Sequence, residues 1–385
     1  MWRMIILGAG ASHACPNTHP DLPLPLLADL PQIIRTDLLN PDSGWPRIGK
    51  AFHRLLKSSE NDIEALFTTL FQLEEYFFKP AKTAGLECEF IDRILASGAL
   101  SEFLPNADDC KLARQVLDTL RAFRQEADGS SDSLGPSASY GPRNVLTLFR
   151  AALMSYIEAS VQRHPCPLHV RLFEMLELRD CVVSFNYDEI ADYALYSLGK
   201  LLEQSFEGLG FTTINLPSGT PQSGFFARFF KVHGSVNWWN HCSGGMPNSD
   251  YWSEREGLRP SIRGGPEVHY YLGHRKLLPN AGNTPDAFLL PFHCKDLIYR
   301  SVPMFTRHMH AFRYWLADAK EIWLVGKNFK NADRELNGLI RWATSGRERL
   351  LHIIDPCIDV EFHLSLFNAK LGNGYSTLEE YARDA

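Results

Sequence analysis

The chain opens on a short apolar run, Met4–Leu7, that ends in Gly8 and Gly10. This is the pattern of a fully buried strand followed by a tight turn. Similar runs return later. Cys181–Ser184, Phe229–Val232, Glu321–Val325 and Leu350–Ile354 are each of strand length and end in a polar or glycine tip. Helical periods lie among them. Glu189–Leu202 sets Ile190, Ala194, Leu198 and Leu201 on one face, and Arg334–Ser345 separates the last two runs. Alternation of this kind predicts an α/β fold with a Rossmann-like, doubly wound parallel sheet.

From about Pro31 to Cys166 the period is mainly helical. Ile63, Leu66, Phe67, Leu70 and Phe71 form an amphipathic stripe, and Asn61 with Glu64 has the spacing of an N-terminal capping pair. Asp109–Arg124 and Leu146–Gln162 read as further helices. Asp128–Pro142 is rich in Gly, Ser and Pro and is expected to be a loop. The expected organisation is a domain of residues 1–30 and 167–385, with a large helical insertion, 31–166, after the first strand.

Composition narrows the class without naming a function. The 385 residues are 45% hydrophobic and 22% charged, which is ordinary for a globular protein. A net charge of −6 gives no reason to expect direct nucleic-acid binding. The eight cysteines include no C-x-x-C pair, so neither a zinc ribbon nor any other metal site is expected. Their scatter through apolar stretches fits reduced thiols in the cytoplasm. The N-terminal apolar run is too short for a signal peptide, and no stretch approaches the ~18–20 apolar residues of a membrane span.

The candidate chemistry sits at the tips. Gly8-Ala9-Gly10 followed by Ser12 is either a phosphate cradle or a structural turn, since the third glycine of a dinucleotide fingerprint falls at His13. Ser184-Phe185-Asn186-Tyr187-Asp188 precedes a helix, where Asn and Asp are ordinary caps. The Asn186 amide, with a donor and an acceptor, can also orient a water or a ribose hydroxyl, supported by Asp188. Lys231-Val232-His233-Gly234-Ser235 sets a histidine at a strand end beside a glycine. That imidazole is either structural or a general base. Trp238 and Trp239 can stack on a ligand or pack, and packing is expected of at least one. Gly326, Asn328 and Asp355 mark the two late tips, as plain turns or as contacts for an adenosine half. His308 and His310, two apart, are read as surface residues on different helix faces.

In this order the motifs Gly8–Ser12, Ser184–Asp188 and Val232–Ser235 resemble the sirtuin-like superfamily, and more closely the bacterial sirtuin-like domains of anti-phage defence. Leu324–Phe329, with Asp333 shortly after, resembles a diverged late glycine motif, and Asp62-Ile63-Glu64 matches loosely. Two features depart from sirtuin deacetylases: there is no four-cysteine zinc module, and Phe-Asn-Tyr-Asp stands where Gln-Asn-Ile-Asp is usual. The resemblance implies a hydrolase, an NAD glycohydrolase cleaving NAD to nicotinamide and ADP-ribose without a metal. Gly8, Ala9, Gly10 and Ser12 would hold the pyrophosphate, and Gly234, Gly326, Asn328 and Asp355 would contact the nucleotide. Asn186 would orient water, His233 would act as base and Asp188 would support Asn186. It further implies a regulated, homo-oligomeric effector of antiviral defence, with a translocase ATPase or an argonaute-like protein as candidate partner. An NAD-dependent protein deacylase and a non-catalytic NAD or ADP-ribose sensor are the alternatives.

Overall fold

The computed structural model describes residues 2–16, 24, 54–57, 63–73, 90–104, 107–128, 156–157, 160–161, 164–217, 224–241, 267–272, 286–289, 303–330 and 334–385. The first apolar run forms β1 (Arg3–Leu7), buried from Met4 onward. On one side it pairs in parallel with β2 (Cys181–Ser184), which pairs in parallel with β4 (Arg228–Lys231). On the other side it pairs in parallel with β8 (Glu321–Val325), followed by β9 (Arg349–Ile354) and β10 (Ala369–Tyr375). The order across this six-stranded sheet is β10-β9-β8-β1-β2-β4. The chain therefore winds outward from β1, returns to its other flank at β8 and winds outward again. This is the doubly wound, Rossmann-like order, and its switch point lies between β1 and β8. β2 is buried throughout, and β1 and β8 at every residue but the first, because helices cover both faces of such a sheet.

Those helices are α6 (Pro167–Glu174), α7 (Ile190–Ser197), α8 (Pro303–Asp318), α9 (Arg334–Thr344), α10 (Val360–Phe367) and α11 (Leu378–Asp384). A short α1 (Ala9–His13) follows β1 directly. Four helices described between α1 and α6 form a second apolar cluster: α2 (Ile63–Leu73), α3 (Phe90–Ser97), α4 (Leu100–Phe103) and α5 (Ala107–Asp128). Leu66, Leu70 and Leu73 are its buried stripe on α2, facing Val116, Leu117 and Leu120 of α5 in the same cluster. The capping residue Asn61, the loop 129–142 and most of the helix read at Leu146–Gln162 lie outside the described residues.

The periodicity gave no sign of a second sheet. It has the order β3-β6-β5-β7, built from β3 (Thr213–Asn215), β5 (Gly234–His241), β6 (Glu267–Tyr271) and β7 (Asp286–Leu289). β5 begins three residues after β4 ends, so Val232 and His233 form the corner between the two sheets. Gly234 takes φ 79 there, a conformation open to glycine and costly for other residues.

One histidine departs from the surface reading. His310 is exposed, but His308 on α8 is fully buried between Phe211 and Trp238, at ring-centroid distances of 5.9 and 4.7 Å. Neither of its ring nitrogens has a hydrogen-bond partner among the described residues. Trp238 is fully buried, as packing required. Burial holds the His308 imidazole neutral and lowers its pKa from 6.5 to about 3. An unfolded His takes up a proton near its ordinary value, so the unfolded chain binds more protons than the folded one between those limits. The stability is complete above about 6.5 and falls as pH drops toward 3, by up to ~1.4 kcal/mol per pH unit from this residue. His308→Phe should flatten the dependence of the urea midpoint on pH between 7 and 5. An unchanged slope would assign that dependence to other groups.

Candidate functional site

Because all six strands of the large sheet are parallel, the tips of β1, β2, β4, β8 and β9 emerge at one edge. In sheets of this order, ligands are held in the crevice at the switch point. Here the switch point is closed by backbone packed on backbone. Gly8 donates to the Val325 carbonyl at 2.9 Å and Gly10 to the Gly326 carbonyl at 3.0 Å. A Cβ on Gly8 would come within 2.3 Å of the Gly326 carbonyl oxygen, and one on Gly326 within 2.2 Å of the Ala11 nitrogen. Gly326 also takes φ 58. The glycines are thus required by the approach of two loops. Of the N–H groups from Gly8 to Ala11, three are used inside the protein, since Ala11 donates to the Gly8 carbonyl. The Ala9 N–H donates to no described backbone group, and Ala9 is the exposed residue of the turn.

Asn186 ties the β2 tip to this turn. Its Nδ2 donates to the Gly8 carbonyl at 2.8 Å and to Ser12 Oγ at 2.7 Å. The carbonyl partner fixes which end of the amide is nitrogen, because only the NH2 can donate to it. Oδ1 is left as the outward group, accepting from no described residue. Asp188 behaves as a cap: its Oδ1 accepts from the Ile190 N–H at 3.0 Å at the start of α7.

Phe185 joins three tips. Its buried ring meets His233 edge-on at 5.1 Å, Phe329 at 5.6 Å and Phe312 at 5.9 Å. Lys327 Nζ lies over the same ring at 4.7 Å. His233, half-buried at the sheet corner, and the cation beyond Gly326 are therefore both held against one side chain. Other residues noted in the sequence are placed differently. Asn328 Oδ1 accepts from the Lys330 N–H at 2.8 Å, and Asp355 Oδ1 from the Cys357 N–H at 2.8 Å. Both are local turns, and Asp355 stands one strand farther out, just past the end of β9. His13 is exposed, with Nδ1 2.9 Å from the Leu24 carbonyl, and Asp333 lies outside the described residues.

The sequence reading passed over Lys231 and Asp192. Both are fully buried, with Nζ 2.9 Å from Asp192 Oδ2. The ammonium also donates to the Asp188 carbonyl and to Ser235 Oγ, which donates to the Tyr187 carbonyl at 3.0 Å. Asp192 Oδ1 accepts from Asn237 Nδ2 at 3.1 Å and from the Tyr270 hydroxyl at 2.7 Å. Burial, then the Asp192 charge, push the Tyr270 hydroxyl well above its ordinary pKa, so it stays a donor. This network bolts the Asn186–Asp188 tip to the β4–β5 corner that carries His233. The available signal was a lysine inside an otherwise apolar strand run, which demands a buried counter-charge.

In comparisons with known proteins, no family model and no curated protein matches this chain. Among the described residues, no group of three or more His, Cys, Asp or Glu side chains is arranged to hold a metal ion, and no helix is long and apolar enough to cross a membrane.

Two sets of variants test this construction. Gly326→Ala places a Cβ against the Ala11 nitrogen and forces a left-handed residue, and is expected to cost at least ~2 kcal/mol in urea unfolding. Gly338→Ala, exposed on α9 with nothing near its Cβ, should instead add ~0.5–1 kcal/mol. Equal effects of the two would refute the close-approach account. Lys231→Met strands a buried carboxylate and is expected to cost ~3–5 kcal/mol, with recovery in the Lys231→Met/Asp192→Asn double variant. Strict additivity in that cycle would show that the pair does not act as a pair.

Proposed function

We propose that this protein is an NAD glycohydrolase with its site among the strand tips that flank the closed β1/β8 seam. The observation that carries the reading is the state of Asn186. Both amide hydrogens are committed to the Gly8–Ser12 turn, which fixes the amide and leaves Oδ1 as a rigid acceptor beside the tips that bear His233 and Lys327. The sequence resemblance to defence-associated sirtuin-like domains supports the same assignment. It also supports a regulated homo-oligomer with a translocase ATPase or argonaute-like partner.

In this reading the Lys327 ammonium and the Ala9 N–H meet the pyrophosphate of NAD. The C1′–N bond breaks, its electron pair leaves with neutral nicotinamide, and positive charge develops on the ribose. A water whose hydrogen bonds to Asn186 Oδ1 adds to C1′, and its proton passes to the His233 imidazole. Asp188 contributes by fixing the start of α7, and thereby the tip that carries Asn186.

A second reading, a nucleotide sensor without turnover, is favoured by one set of contacts. The Gly10 and Ala11 N–H groups, the Asn186 amide hydrogens and one Asp188 oxygen are all engaged in holding the tips together.

Nicotinamide release and melting temperature, measured on the same variants, separate the two. His233→Ala is expected to lower release by roughly 10²-fold with little change in melting temperature. Asn186→Ala should lose a comparable factor and also ~1–3 kcal/mol of stability, from its two buried hydrogen bonds. Undiminished release by His233→Ala would sink the catalytic assignment. NAD binding by calorimetry with no release under any assembly condition would establish the sensor.

A further inference from the structure

Away from the crevice, three groups meet where α1 ends and α6 begins. Cys166 precedes Pro167 at the start of α6 and is fully buried, as is His169 one turn on. His169 Nδ1 lies 3.2 Å from Cys166 Sγ. Cys15, two residues beyond α1 and nearly buried, donates its thiol hydrogen to the same sulfur. The two cysteines stand 151 positions apart and are in hydrogen-bond contact through their sulfurs. None of the chemistry assigned to the crevice uses them.

The surroundings favour negative charge on Cys166. The hydrogen bond from Cys15 is the largest influence, and the hydrogen bond and electrostatic pull of His169 add to it. Together they overcome burial and bring the thiol down to about 4. A sulfur at a helix N-terminus gains further from the helix dipole. The other end of α6 is matched, since Lys200 Nζ donates to the carbonyls of Phe173, Glu174 and Leu176. Cys181 supplies a contrast within the same fold. It is equally buried but sits inside β2 with no such partners, and burial pushes its thiol well up. Burial at the pair is also shallow, because Pro16, His164 and Pro165 are exposed.

We propose that Cys15 and Cys166 form a peroxide-oxidisable dithiol pair that closes as a disulfide between the end of α1 and the start of α6. The Cys166 thiolate attacks one peroxide oxygen. The S–O bond forms, the O–O bond breaks, and the departing hydroxide takes a proton from solvent, the equivalent of the one Cys166 lost on ionising, to become water. Cys15 then attacks the resulting sulfenic sulfur. The S–S bond forms, the S–O bond breaks, and the departing hydroxide takes the Cys15 proton as a second water. Two thiols are oxidised by two electrons and one hydrogen peroxide is reduced. The Cys15 N–H donates to the Ser12 carbonyl at 3.1 Å, so the bridge anchors α6 to the stretch whose Ser12 side chain holds Asn186. The pair stands whether or not the crevice cleaves NAD.

The test is peptide mapping of the full chain without reductant, after near-stoichiometric hydrogen peroxide at pH 6 and at pH 8. A Cys15–Cys166 crosslink is expected before any change at Cys181. The rates at the two pH values should agree within about twofold, whereas a thiol of ordinary pKa would slow by roughly 10²-fold at the lower pH. Cys15→Ser should leave Cys166 as a sulfenic acid trapped by dimedone, and Cys15→Ala provides a second variant should the serine perturb folding. Three results would overturn the proposal: no crosslink in protein that retains its native circular dichroism, oxidation of Cys181 as fast as Cys166, or a Cys166 rate that falls with pH as an ordinary thiol does.

Discussion

The contact on which the arrangement depends is backbone against backbone, where the β1 turn meets the β8 turn. Gly8 and Gly10 lie so close to Gly326 that no side chain fits on any of the three. Two hydrogen bonds, Gly8 to Val325 and Gly10 to Gly326, close the seam at the topological switch point. Everything in the candidate crevice is referenced to it. Asn186 is fixed because it bonds Gly8 and Ser12, and Lys327 is placed because it follows Gly326. The same seam consumes donors that a glycine turn can otherwise offer to a phosphate, and within that turn the exposed Ala9 N–H donates to no described backbone group.

A second constraint is the buried ion pair of Lys231 and Asp192. Taking two charges out of water costs several kcal/mol each, and it is tolerated only where further hydrogen bonds satisfy them. Here the Asp188 carbonyl, Ser235, Asn237 and Tyr270 do so. These partners come from β2's tip, the β4–β5 strands and β6, so the pair specifies how the small sheet joins the large one. The corner so defined carries His233.

Part of this was legible in the chain. The strands β1, β2, β8 and β9 are short apolar runs because parallel sheets are buried on both faces, and their tips meet at one edge of the sheet. α2 and α7 announced themselves by their stripes. Other elements had no such signature. β10, Ala369–Tyr375, is a glycine-containing edge strand held by its pairing with β9, with little burial of its own. β3 is a three-residue strand of Thr, Ile and Asn, β6 mixes polar and aromatic residues, and their pairing joins segments more than fifty residues apart. His308 looked like a surface residue because its helix alone was in view, and Phe211 and Trp238 decide otherwise.

The sequence by itself determined the class of fold, five of the six strands of the large sheet and the three motifs that meet at one edge. These follow from local periodicity and turn chemistry, which neighbours along the chain define. Tertiary structure decided which groups remain for a ligand: that Asp188, Asn328 and Asp355 are engaged in local turns, that Asn186 turns its amide nitrogen inward, that Lys231 finds Asp192, and that Cys15 meets Cys166. Close approach and buried polar pairing depend on residues brought together from distant segments at ångström tolerances, and a pattern along one chain does not encode those distances.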